Sequence, residues 1–505
     1  MEPYAAGWLS IVPPIVAIVL ALLTKEVLSS LLIGILTGTL IYTIGTDGNV
    51  IMDTLQTTFT LMGNKVDFNI LIFTSLLGAL VYVVAMSGGT KAYGNWAVER
   101  VKTRRATLFS TSGLGILIFI DDYFNCLTVG SVMTPVTDSQ RISRVKLAYL
   151  IDATAAPICM IAPISSWAAA VSGVAAKLDT GVSGIQLFIE AIPYNFYSLL
   201  TIVFVITMVV LGVDYGPMAA AELKAAQTGD LGALSEEQEE GSSRANMWDM
   251  LIPIILLIIF CVIGLIYVGG FWDPETNAGD FIAAFGDTDA FVGLPWGALI
   301  ALVLSIIYLC ARRVITFKGA MGCMTKGFNA MVPAILILTF AVSLKSMTGL
   351  LGAADYVEGL MKQASEGLFM LLPAIIFVVA CLLAFATGTS WGTFGILIPI
   401  VLPIFNAAPD LQIMGISACL AGAVCGDHCS PISDTTIMAS AGANCNHIDH
   451  VSTQIPYAVT VAAICFVNYI LAAFIRNVVI SLAIGVVMVI GTLLVIRSVQ
   501  SRKAA

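Results

Sequence analysis

Charge is what this sequence has least of. Only 11% of its 505 residues are Asp, Glu, Lys or Arg, where a soluble protein carries about a quarter. With 58% hydrophobic residues and a mean hydropathy of +0.96, it holds more apolar surface than one soluble core could bury. A water-soluble enzyme is excluded on that ground. Basic residues are the minority of its charges, 23 against 32 acidic, for a net charge of −9. A nucleic-acid partner, which needs a basic face, is therefore excluded. The eleven cysteines are scattered, mostly inside apolar runs where Cys acts as a small hydrophobe, so no disulfide framework is read. The start, Met1-Glu2-Pro3-Tyr4, lacks the basic opening of a signal peptide, and the first apolar run is expected to be a retained helix. No phosphate loop, nucleophile triad or cofactor fingerprint appears. The chain is thus expected to be no enzyme, to hold no cofactor, and to draw its energy from an ion gradient.

What is present is apolar and long. Spans of roughly 20 apolar residues are expected at 8–23, 27–44, 68–86, 145–175, 188–213, 249–270, 292–310, 328–344, 455–475 and 477–496. Such runs exclude a transmembrane β-barrel, whose segments are short and alternating. Residues 106–120 and 124–137 form two short arms around Asp121-Asp122-Tyr123, the pattern of a re-entrant hairpin. The arms 374–386 and 391–405, around Thr387-Gly388-Thr389-Ser390, form a second. Residues 411–425 run into Gly426-Asp427-His428-Cys429-Ser430-Pro431, a crossing broken at mid-depth, and 145–175 has a matching break from Asp152 to Pro163.

With the N-terminus outside and each hairpin returning to its own side, all but five of the 23 Lys and Arg residues fall inside; the five are Lys65, Lys177, Lys345, Lys362 and Arg476. This predicts a multi-pass protein of the plasma membrane with a cytoplasmic C-terminus. Residues 214–248, with the acidic run Ser235–Glu240, are expected to be a solvated cytoplasmic linker.

The two halves echo each other. Asp121 lies 14 residues before Pro135, and Thr389 lies 14 residues before Pro403; Ala156-Pro157-Ile158 matches Ser430-Pro431-Ile432. The expected fold is an all-α polytopic membrane protein of two inverted repeats, each with a hairpin and a broken helix, plus one added C-terminal helix, with about 11 spans and two hairpins. The expected units are a first repeat at 1–213, the linker at 214–248, a second repeat at 249–475 and the added helix and tail at 476–505.

Breaks in membrane helices strand backbone polar groups that lipid cannot satisfy, so four breaks suggest one shared site. Asp121 and Asp122 end an apolar arm, and an intramembrane carboxylate is a functional candidate by default. Such a group takes either a proton or Na⁺, and that competition is the simplest basis of antiport. Asp427, Ser430, Ser433, Asp434, Thr435 and Thr436 supply hard oxygens that suit Na⁺, although a Ser or Asp before Pro431 could equally cap a half-helix. Thr387, Thr389 and Ser390 line the other tip, and Asp152, Thr154, Ser165 and Ser166 are their repeat-related counterparts. Tyr123, Asn125 and Trp391 stand beside the tips, where the aromatics could stack on an organic substrate or simply pack. His428 is a candidate proton-sensitive neighbour of Asp427. The set Cys425, His428, Cys429, Cys445, His447 and His450 matches no zinc pattern, so no metal beyond Na⁺ is expected. Gly34, Gly38, Gly113 and Gly115 read as close helix packing.

The run Gly426-Asp427-His428-Cys429-Ser430-Pro431-Ile432-Ser433-Asp434-Thr435-Thr436, with the tip Asp121-Asp122-Tyr123, resembles the NhaC family of Na⁺/H⁺ antiporters in the wider ion transporter superfamily. The resemblance implies inverted repeats, a homodimer, and a rigid transport domain that moves as an elevator against a scaffold. It also implies Na⁺ and H⁺ as coupling ions. Relatives that exchange organic acids or carry amino acids keep open an alternative: a Na⁺- or H⁺-coupled transporter of an amino acid or small carboxylate.

Overall fold

The computed structural model of the chain describes residues 1, 3–24, 26–64, 68–119, 122–163, 165, 167–168, 171, 184–234, 244–353, 355–356, 369–404 and 409–504. Asp121, Ser166, Lys65, Lys177, Lys362 and the run 235–240 lie outside the described residues. Among the described residues the fold is entirely helical, with one isolated backbone bridge between Ala233 and Cys445.

Among the described residues five helices are long and apolar enough to cross a membrane unaided: Leu28–Gly45, Trp248–Val268, Val292–Ala311, His447–Ile475 and Val478–Ser501. Two bent pairs bring the number to as many as seven. Leu411–Cys429 and Asp434–Gly442 meet at 50°, at the break that Pro431 marks in the sequence. Gln186–Tyr194 and Phe196–Leu211 meet at 47°, where a straight crossing over 188–213 is expected. Pro193 in the intervening 3-10 turn accounts for that bend, because it has no N–H for the helical ladder. Two further helices, Met52–Asn64 and Gly89–Arg100, are too polar to stand out in the sequence.

The helices sort their faces as lipid and protein demand. On Trp248–Val268, Ile255, Ile259 and Ile263 repeat every four residues and are exposed, the stripe a lipid-facing helix shows. On the other face Gly264 and Cys261 meet Gly293 and Gly297, where an added Cβ at Gly297 would lie 2.5 Å from Cys261 Cα. Small residues let these backbones approach without a hydrophobic drive between them. Close approach also holds at three of the four glycines expected to pack: Gly34 against Ala17, Gly38 against Met347 and Gly115 against Thr154. Gly113 does not pack closely; an added Cβ there would meet nothing within 4 Å.

The start of the expected linker is structured and anchored. Helix Gly216–Thr228 buries Glu222, which pairs with Arg104 and accepts the Ser143 N–H at 2.8 Å. Asp214 pairs with the buried Lys146 and accepts the Tyr457 hydroxyl at 2.7 Å. The acids here carry partners that a solvated connector would lack.

Candidate functional site

Two hairpin-like turns and two helix breaks meet in one region. The second hairpin turns at Gly388, whose φ of +63° is the left-handed conformation that glycine adopts without strain. An added Cβ there would lie 2.7 Å from the Ile432 side chain, so the tip lies on the 430–433 break. Ser430 donates to Phe385 O at 2.7 Å and ties the two together. Helix Asp122–Ser139 crosses Asp434–Gly442 at glycines: an added Cβ on Gly130 would sit 2.7 Å from Gly442 Cα. That crossing sets Tyr123 Oη 2.5 Å from Asp434 Oδ2, joining the first tip to the second break.

Four carboxylates line this region, all on helix ends. Asp122 is fully buried and accepts the Trp167 indole N–H at 3.0 Å. Asp434 is bound by Tyr123. Asp427, 1% exposed, accepts the hydroxyls of Ser390 at 3.1 Å and Thr435 at 3.2 Å, both on Oδ2; its Oδ1 is buried and meets no hydrogen-bond partner among the described residues. Asp152 belongs to a separate network. Its Oδ2 accepts Thr436 Oγ at 2.9 Å and the Gln454 amide at 2.7 Å, with His428 Nε2 at 3.7 Å. His428 faces Asp152 rather than Asp427, and its Nδ1 lies 2.9 Å from Tyr197 Oη.

Several candidates turn their polar atoms to backbone. Asn125 Nδ2 shares its two hydrogens among Gly115 O, Ile118 O and Thr154 O at 2.7, 2.8 and 3.0 Å, which closes the end of helix Arg104–Leu117 onto the 152–155 break. The hydroxyls of Thr154 and Thr387 bond carbonyls in their own helices. Ser165 bonds Cys159 O and Ala162 O and caps the Ala168 N–H. Thr389 accepts the Gly392 N–H, and Ser433 caps the Thr436 N–H. Trp391 packs edge-on against Trp167 at 5.9 Å between ring centroids, with Phe394 beside both.

Sequence reading missed Trp167, Tyr197, Ser440 and Gln454, and it passed over His447 and His450 when the zinc pattern failed. Among the described residues no group of three or more His, Cys, Asp or Glu could hold a metal. The spacing of His450 and Gln454, one helical turn apart at the polar start of a helix that turns apolar after Gln454, was the available signal.

The buried cations nearby have partners of their own. Lys146 pairs with Asp214, and Arg144 with Asp138 at 2.8 Å. None of the hydrogen bonds to Asp122, Asp427 or Asp152 described above comes from Lys or Arg, so this acid-rich region attracts cations.

The Na⁺/H⁺ antiporter family model matches residues 158–474. An uncharacterized protein of Haemophilus influenzae is 37% identical over 92% of this chain and 91% of its own. The arginine/ornithine antiporter ArcD of Halobacterium salinarum is 26% identical over 46% of this chain and 44% of its own. The malate-2H⁺/Na⁺-lactate antiporter of Bacillus subtilis is 26% identical over 39% and 42%. Among solved structures, the YdaH transporter of Alcanivorax borkumensis covers 85% of this chain and 90% of its own, with 14% identity and a TM-score of 0.38.

Proposed function

Because the chain belongs to the Na⁺/H⁺ antiporter family, we propose that this multi-pass membrane transporter exchanges Na⁺ for H⁺ at Asp427. One observation carries the reading: the buried Oδ1, without a partner among the described residues, of a carboxylate whose Oδ2 already takes two hydroxyls. A buried carboxylate oxygen without a donor is costly, and either a cation or a proton removes that cost. Asp427 with the hydroxyl oxygens of Ser390 and Thr435 offers Na⁺ hard ligands. When Na⁺ leaves, a proton takes its place, so the two ions compete for one charge. Asp122 and Asp434 deepen the negative field without sharing that charge, being bound by Trp167 and Tyr123.

In this reading the chain is built of two inverted repeats, and a rigid transport domain carrying both tips and both breaks moves as an elevator against a scaffold within a homodimer in the plasma membrane, N-terminus outside and C-terminus cytoplasmic. The second reading is coupled transport of an amino acid or small carboxylate. The aromatic wall of Trp167, Trp391 and Phe394 favours it, and two relatives carry antiporter names with organic substrates. Purified protein in liposomes with an internal pH dye separates the two. Prompt proton movement on adding Na⁺, lost in Asp427→Asn, supports exchange. Silence with Na⁺ alone, and transport only when an amino acid or carboxylate is present, overturns it.

A further inference from the structure

The chain has three histidines, and all three lie in one hydrogen-bonded cluster beside Asp152. Ser440 Oγ stands 2.9 Å from His447 Nδ1 and 2.8 Å from His450 Nδ1. The far nitrogens both face groups that can only accept. His447 Nε2 lies 2.8 Å from the Pro431 carbonyl, and His450 Nε2 lies 2.8 Å from Gln454 Oε1. The Gln454 amide cannot turn over, because its Nε2 donates to two acceptors, Asp152 Oδ2 and His428 O.

Counting hydrogens gives the result. Both Nε2 atoms must carry one. A neutral imidazole has a single N–H, so two neutral rings would turn two Nδ1 lone pairs toward one serine oxygen. That hydroxyl has one hydrogen, for which Thr436 O at 2.8 Å also competes. At least one lone pair would then face another across a hydrogen-bond distance. One added proton removes the conflict: one ring donates to Ser440 Oγ, and Ser440 donates to the other ring. Exchange of the two roles moves the charge from His447 to His450.

We propose that His447 and His450, bridged by Ser440, form a proton-binding site that holds one proton between two imidazoles and passes it toward Asp152. Half-buried His447 opens the path on the face of Arg144, which bonds Ala443 O, and of the 214–234 segment, where Leu234 N–H bonds Asn444 O. Fully buried His450 closes it, with Nε2 3.9 Å from Asp152 Oδ2. The charged and titratable groups around the pair are Asp152, His428, Cys445 in the preceding turn, Arg144, and Asp449 with Lys224 at the surface. Asp152 is the carboxylate next to the pair, its Oδ2 3.9 Å from His450 Nε2. The existence of the site stands on hydrogen counting alone; its role as a relay rests on the exchange reading above.

The test uses the full chain in lipid nanodiscs with ¹⁵N-labelled histidine, whose spectrum contains three rings. At neutral pH one ring of the pair is expected to be charged, with hydrogens on both nitrogens, and the other neutral with its hydrogen on Nε2. Both rings neutral would overturn the site, whether or not the protein exchanges ions. In liposomes, His447→Gln and His450→Gln are expected to slow Na⁺-driven proton movement by about 100-fold, while the thermal shift produced by Na⁺ is retained. Wild-type rates in both variants across about pH 6 to 8 would overturn the relay. A charged ring in a protein that moves no protons with Na⁺ would support the site while refuting the exchange reading.

Discussion

Gly130→Ala tests the crossing that brings the site together. The new methyl would sit 2.7 Å from Gly442 Cα, about 1 Å inside an ordinary carbon–carbon contact of ~3.5–4.0 Å. Backbone lies on both sides of this contact, so no flexible side chain can yield. The helices must part by about that much, at an overpacking cost of about 1–3 kcal/mol. The Tyr123–Asp434 bond of 2.5 Å spans the same crossing, and at about 3.5 Å it would no longer be a hydrogen bond. Losing a hydrogen bond to a charged group costs about 1.5–3 kcal/mol more, or roughly 10- to 150-fold in whatever equilibrium uses the aligned site. The assay is paired: melting of the purified protein, and Na⁺-driven proton movement in liposomes. Gly113→Ala is the control, since its Cβ would meet open space and Ala favours the helix by about 1 kcal/mol. If Gly130→Ala melted and transported like Gly113→Ala, the crossing would not be what aligns the tip with the break.

Other outcomes follow from named contacts. Asn125→Ala removes the amide whose two hydrogens serve three carbonyls and close helix Arg104–Leu117 onto the 152–155 break, and at about 1 kcal/mol for each hydrogen melting should fall by an amount that Asn125→Gln does not restore. Tyr123→Phe should raise the Na⁺ concentration for half-maximal exchange about tenfold or more, with melting changed less than in Gly130→Ala. Arg312→Ala should lower the melting temperature, because fully buried Asp249 loses its two-pronged partner at 2.9 and 3.0 Å and keeps only the Asn246 N–H at 2.8 Å and the Tyr308 hydroxyl at 3.2 Å. Burial pushes the Asp214 carboxyl up, but Lys146, Tyr457 and Arg104 outweigh it and hold the group below its usual value. Its contribution is therefore full above the ordinary carboxylate pKa of about 3.9 and is lost as pH falls through the lower folded value. Melting scanned downward from about pH 5 should decline more in the wild type than in Asp214→Asn.

Much of this was legible in the residues. The apolar runs identified the long helices, and Pro431 with its polar neighbours marked the 50° bend, because a proline among small polar residues cannot continue an apolar helix. The tips and breaks were named from stranded polar groups, and the structure brings Asp122, Tyr123, Ser390, Asp427 and Asp434 into one region. Partner choice was not legible. Nothing in the spacing says that Asp152 turns to Gln454 and His428, far along the chain, rather than to Asp427. Hydroxyl partners were hidden for a local reason: Thr154, Thr387 and Ser165 sit where their own helix or turn leaves carbonyls in reach, and backbone takes their hydrogens. Glycine spacing alone also could not separate Gly115, which meets Thr154, from Gly113, which faces open space. The anchored helix Gly216–Thr228 was hidden because its alanines and scattered charges resemble a solvated segment until Arg104 and Ser143 are seen to hold Glu222.

The central claim is that one buried carboxylate is neutralised by Na⁺ and H⁺ in turn. Uptake of labelled Na⁺ into liposomes, measured as a function of Na⁺ concentration at a series of pH values, tests it most directly. The account predicts that acidification raises the half-saturating Na⁺ concentration, approaching about tenfold per pH unit, while maximal uptake stays constant, and that Asp427→Asn abolishes the uptake. A half-saturating concentration that does not move with pH would contradict it.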